Sequence, residues 1–186
     1  VFLIERKQSA AYSSLGPRTA HPTSRAACMP TFNVVQRLVA LTPQYEIREG
    51  DTLSYVATGK VMTTTPKLAL FGPEGESGKV LATMEGNFLQ TTFNCFDTAG
   101  KTLCTLVFPA LSLTKRFRLE VGEKVYSANG GVMGNVFSCK DAAGNSAFSV
   151  KRKQSFRDAF DLEVADDLDP HAGLLCSIAI YQHFNF

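Results

Sequence analysis

Two basic runs stand out among the residues able to do chemistry. Lys115, Arg116 and Arg118 lie in one strand-like segment, and Lys151, Arg152, Lys153 and Arg157 in another. Side chains alternate across a strand, so Arg116 and Arg118 share one face, as do Lys151 and Lys153. If those faces adjoin on the outside of the fold, the four form one patch. Such a patch suits an anionic lipid headgroup, at ~1 kcal/mol per basic residue near the surface. The competing reading is a pair of solvated faces whose charges discourage edge pairing.

Other reactive residue types are present without a constellation. The five cysteines, Cys28, Cys95, Cys104, Cys139 and Cys176, include no C-x-x-C pair. Zinc knuckles and thioredoxin-like redox sites therefore lose their main support. Four of the five sit among Phe, Leu, Val and Ile, which reads as small buried hydrophobes in a reducing, intracellular compartment. The three histidines are His21, His171 and His183, and no motif sets a Ser or Cys nucleophile beside them. G-x-S-x-G, H-E-x-x-H and P-loop patterns do not occur. The acidic run Asp158, Asp161, Glu163, Asp166, Asp167 and Asp169 lacks the D-x-[DN]-x-[DN]-G spacing of a calcium loop and reads as capping and a solvated turn. The expectation is a non-enzymatic protein with no catalytic residues, no metal and no cofactor.

Composition narrows the partners. Apolar residues make up 45% and charged residues 19% of the 186, a globular balance. Residues 1–30 hold Arg6, Lys7, Arg18 and Arg25 against Glu5 alone, while the remainder has 15 basic and 16 acidic residues. A near-neutral body argues against a general nucleic-acid binder, which needs a basic domain face. The longest strongly apolar stretch is about thirteen residues, short of the ~20 that a spanning helix needs.

Val1 is not a natural start, so the chain reads as beginning inside a longer one. Residues 1–31 read as a disordered tail. An organelle-targeting segment and sequence upstream of a start at Met29 are the competing readings. Residues 32–186 form the domain. From Tyr45 onward, apolar runs are cut by turn residues about every ten positions. Leu68–Phe71 and Lys79–Met84 flank a turn of three Gly and a Pro. Asn87–Phe96, Lys101–Phe108, Ser112–Val121, Lys124–Ala128, Val132–Lys140, Ser146–Lys153 and Asp158–Val164 read as further strands. The pattern F-x-C-x-D-x-A-G-[KN]-[ST] occurs at Phe93 and again 44 residues later at Phe137, each copy a strand ending in a turn. Asp169 and Pro170 then open a helix that is apolar almost all round. A helix buried on every side beside many strands needs a sheet wrapped around it, which closes the sheet and removes its edges.

Roughly ten strands with repeated D-x-x-G hairpins thus lead into Arg157-Asp158-Ala159-Phe160-Asp161-Leu162-Glu163-Val164, an Asp-rich cap and a terminal apolar helix. Over residues 45–186 this order resembles the tubby C-terminal-like superfamily, in particular the LURP-one-related and phospholipid-scramblase-like proteins. The resemblance implies a mainly β fold, a closed antiparallel barrel of about twelve strands around a buried C-terminal helix. It also implies binding of phosphoinositides or a link to lipid movement. The chain departs from animal scramblases in lacking their cysteine cluster and P-x-x-P repeats. The expected function is a binding module for anionic phospholipid headgroups, or for a protein partner at a membrane surface. Scramblase-like lipid movement and a lipocalin-like carrier with an empty barrel are the alternatives.

Overall fold

The structure, a computed structural model, describes residues 29–37, 42–60, 65–111, 114–130, 135–153 and 158–184. The expected tail up to residue 28, with His21 and Cys28, lies outside the described residues, as does Arg157. Twelve strands follow in chain order: β1 (Thr31–Arg37), β2 (Gln44–Glu49), β3 (Thr52–Lys60), β4 (Lys67–Phe71), β5 (Val80–Gly86), β6 (Thr92–Asp97), β7 (Thr102–Val107), β8 (Lys115–Val121), β9 (Lys124–Gly130), β10 (Val136–Lys140), β11 (Ser146–Arg152) and β12 (Ala159–Val164). One helix, α1 (Pro170–Phe184), ends the chain. Each strand pairs antiparallel with its sequence neighbours, and β1 pairs with β12, so the sheet closes into a barrel. The first strand opens at Thr31, the last residue assigned to the tail. The closing contact runs from Thr31 opposite Glu163 to Val35 opposite Ala159.

Alternation decides which side chains face inward. In β8, Phe117 and Leu119 are buried while Arg116 and Arg118 are exposed; in β12, Phe160, Leu162 and Val164 are buried around intermediate Asp161 and exposed Glu163. In these two strands charged residues therefore face outward, the reverse of a barrel whose outside meets hydrocarbon.

The lumen holds α1. Every residue from Ala172 to Tyr181 is buried, and burial of each Leu or Ile among them stabilises the fold by roughly 1.5–3 kcal/mol. Asp169 Oδ1 accepts hydrogen bonds from the His171 and Ala172 amides at 2.9 and 3.1 Å, so it is the N-cap its position predicts. Gly173 gives α1 close access to β12, because a Cβ there would stand 3.0 Å from Val164 Cγ2. The hydroxyl of buried Ser177 donates to the Leu174 carbonyl at 2.7 Å, which spares the lumen an unpaired polar group. At the far end of α1, the His183 ring stacks on Phe108 with centroids 3.9 Å apart, and Phe184 packs against Phe108, Phe117 and Phe137. His183 is exposed overall, but partial desolvation of its ring holds the imidazole below its ordinary value.

The internal repeat is a pair of equivalent hairpin turns. Asp97 Oδ1 accepts from the Ala99 and Lys101 amides, both at 2.8 Å, and Asp141 Oδ1 accepts from Ala143 and Asn145 at 2.9 and 2.8 Å. Gly100 and Gly144 take φ of +80° and +91°, open to glycine at little cost. The strand expected over Asn87–Phe96 is shorter, beginning at Thr92. Asn87 is the cause: its Oδ1 accepts from the Thr91 and Thr92 amides at 2.8 and 3.2 Å and folds residues 87–91 into a loop.

Candidate functional site

Antiparallel order gives the barrel two unlike ends. Odd-numbered strands run toward one end and even-numbered strands return from it, so alternate connections gather together. At one end lie the turns β2–β3, β4–β5, β6–β7, β8–β9 and β10–β11 and the entry to α1. Glu49 and Asp51 flank the first of these turns, and Glu74 and Glu76 lie in the second. Asp97, Glu123 and Asp141 follow in the next three, and Asp166, Asp167 and Asp169 lead into the helix. Against them stand Arg48, Lys79, Lys101, Lys124 and Lys140, so carboxylates prevail.

The opposite end gathers the other connections and the C-terminus of α1. Arg37 ends β1, Lys67 opens β4, and Lys115 and Arg116 open β8. Lys151 and Arg152 end β11, with Lys153 just beyond. The carboxylates there are Glu46, Glu85, Asp158 and Asp161, and each holds a cation. Arg37 pairs with Glu46, Lys67 with Glu85 at 2.7 Å, Arg152 with Asp158 at 3.8 Å, and Lys153 with Asp161 at 2.9 Å. Exposed Arg116 and Lys151 make no ion pair among the described residues. Arg116 stands opposite Asn129, whereas Lys151 stands opposite Asp161, whose carboxylate is engaged by Lys153.

The four cations singled out in the sequence do not form one patch. β9 and β10 stand between β8 and β11, and three strand spacings of ~4.8 Å put the two faces about 14 Å apart along the wall. Arg118 sits midway along β8 and is paired with Glu120 at 2.8 Å. Lys153 is held by Asp161. Arg116 and Lys151 remain as two unpaired cations near the same rim.

The acidic run is dispersed into structural contacts. Asp161 also accepts from the Asn33 amide group at 3.1 Å, and Glu163 from the Ser149 hydroxyl at 3.2 Å. Asp167 Oδ2 accepts from Lys124 Nζ and the Tyr126 hydroxyl, each at 2.9 Å. These hydrogen bonds, that from Lys124 foremost, hold the Asp167 carboxyl below its usual range. Among the described residues, no group of three or more His, Cys, Asp or Glu is placed to hold a metal ion.

Cys95, Cys104, Cys139 and Cys176 are all buried and free. Cys104 and Cys176 Sγ atoms lie 3.5 Å apart, joining the wall to the helix. Burial pushes the Cys139 thiol up to about 12, far from the thiolate a nucleophile needs. His171 lies 3.8 Å from Asp169 and edge-on to Tyr55, beside the helix cap. On the outer wall, a groove of about 520 Å³ follows β3, β4 and β5, lined in part by Leu68, Phe71 and Met84 and crossed by the Lys67–Glu85 pair.

Sequence reasoning missed three residues at the basic end. Phe88 and Leu89, in the β5–β6 loop, are each 71% exposed, and Leu111, after β7, is 96% exposed. The Gly86-Asn87 pair was the available signal, since such a dipeptide marks a turn and removes its followers from the strand. Comparison with known proteins returns no matching family model and no matching curated relative. No described helix is long and apolar enough to cross a membrane.

Proposed function

We propose that this protein is a binding module that docks the basic end of its barrel on an anionic phospholipid surface. The observation that carries the reading is the charge polarity along the barrel axis. Acid turns gather at one end and cations at the other, so the molecule meets a negative surface in one orientation. Arg116 and Lys151, unpaired near the basic rim, are the residues assigned to headgroups. The enclosed thiols and the stacked His183 support binding over catalysis, because none offers an activated group to a substrate. A lipocalin-like carrier needs an empty lumen, and α1 occupies this one. Scramblase-like movement of lipid finds no specific support in a helix enclosed by a polar-faced wall.

The test is co-sedimentation with phosphatidylcholine vesicles, with and without phosphatidylserine or a phosphoinositide. Binding is expected only with the anionic lipid and to weaken steeply with salt. The variant Arg116→Glu plus Lys151→Glu loses at least ~2 kcal/mol of attraction, roughly thirtyfold in affinity. Binding to neutral vesicles as strong as to anionic ones, or indifference to the double reversal, overturns the proposal.

A further inference from the structure

The loop that spoils the expected β6 strand is built to hold apolar side chains in water. Phe88 and Leu89 form its tip, and both are 71% exposed. Asn87 locks the loop from within. Its Oδ1 binds the Thr91 and Thr92 amides, its Nδ2 donates to Thr91 Oγ1 at 2.9 Å, and its carbonyl accepts from the Gln90 amide at 3.0 Å. Gln90 sits at φ +54°, the one left-handed residue other than glycine among those described. A glutamine held there is strained. The strain is tolerated because the Asn87 bonds over-determine the turn, and its consequence is an outward-facing Phe88-Leu89 pair.

A third apolar residue joins them. The Phe108 amide donates to the Thr91 carbonyl at 2.7 Å, tying the base of this loop to the segment after β7. Leu111, 96% exposed, is three residues further on. All three lie at the end where cations prevail. An isolated exposed leucine is ordinary, but a braced Phe-Leu tip with a leucine on the adjoining connection presents apolar groups at the same end of the barrel as the positive charge. A bilayer with anionic headgroups offers the matching order: negative charge outside and hydrocarbon beneath.

We infer that Phe88, Leu89 and Leu111 insert into the headgroup–acyl boundary of an anionic bilayer while the surrounding cations engage its headgroups. This rests on the membrane-docking reading and adds a second contact of different chemistry. The electrostatic contact sets orientation and falls with salt; the apolar contact persists in salt and holds the protein on the surface.

The absence of tryptophan from the chain makes the test direct. Phe88→Trp supplies the sole indole, on an exposed loop where it disturbs no packing, and Leu111→Trp repeats the experiment on the adjoining connection. With phosphatidylcholine–phosphatidylserine vesicles, each indole is expected to shift its emission to the blue and to be quenched by brominated acyl chains. Leu89→Ser plus Leu111→Ser is expected to weaken vesicle partition about tenfold, with an unchanged salt slope. If the tryptophan variants sediment with anionic vesicles in a salt-dependent way while both emissions stay at their aqueous position, insertion is overturned and docking stands. The loop tip then belongs to a protein contact. If neither variant nor the parent sediments with vesicles, docking and insertion fall together.

Discussion

Leu174→Ala tests the central packing claim, that α1 is the core of the barrel. Leu174 is 0% exposed, in the first turn of the buried run of the helix. Truncating it removes apolar contacts and leaves a cavity in a closed wall that cannot collapse freely, which costs about 2–5 kcal/mol. Alanine is the better helix former, so any loss arises from packing against the strands rather than from the helix itself. Leu111→Ala is the matched control: the same chemistry at a site 96% exposed, where a surface change stays within about 0.5 kcal/mol. For a chain of this size each kcal/mol lowers Tm by roughly 2–4 °C, so a loss of ~3 kcal/mol gives a fall of about 6–12 °C. Urea unfolding followed by circular dichroism reads the same difference as a lower midpoint at unchanged slope. If the two substitutions destabilise equally, α1 is not enclosed, and the account of the fold fails with it.

Two further outcomes follow from the described contacts. The Asp167 carboxyl is lowered in the folded state by Lys124 and Tyr126. Its contribution is therefore complete above the unfolded value of ~3.9 and is lost as pH falls through the folded one. Asp167→Asn should be less stable than the parent at neutral pH, and the gap should close on acidification; a gap constant down to the acid limb contradicts the assignment. In a Cys28→Ser background, the four buried thiols should react with an aromatic disulfide reagent only as fast as the protein opens, and fully in urea. Rapid labelling of Cys139 in the native protein would show that its burial is wrong.

Much of the wall was readable because strand alternation is local. Ser112–Val121 announced Phe117 and Leu119 inside and Arg116 and Arg118 outside from residue type alone, and both pairs fall that way. Asp97 and Asp141 announced their turns, since an aspartate binds its own backbone two and four residues on. The first three strands were not delimited; in β1, Phe32 and Val34 alternate correctly, but seven residues beside a polar tail carry little signal until β12 pairs with them. Phe88 and Leu89 were absorbed into a strand because their apolarity was read before the side chain of Asn87 was credited with a turn.

The amino-acid sequence alone determined nine of the twelve strands in order, the inward and outward faces of Ser112–Val121 and the helix that had to be enclosed. These follow from period, turn chemistry and the near-continuous apolarity of Ala172–Tyr181. Only the tertiary structure decided which residues became neighbours at the two ends. Strand order separates Arg118 and Lys151 by two intervening strands, and ion pairing selects Arg116 and Lys151 from a larger set of cations. The acid turns and the basic rim are scattered along the chain and become opposite poles only when the strands alternate direction around a closed wall. Charge accumulates by position in space, which a linear reading cannot sum.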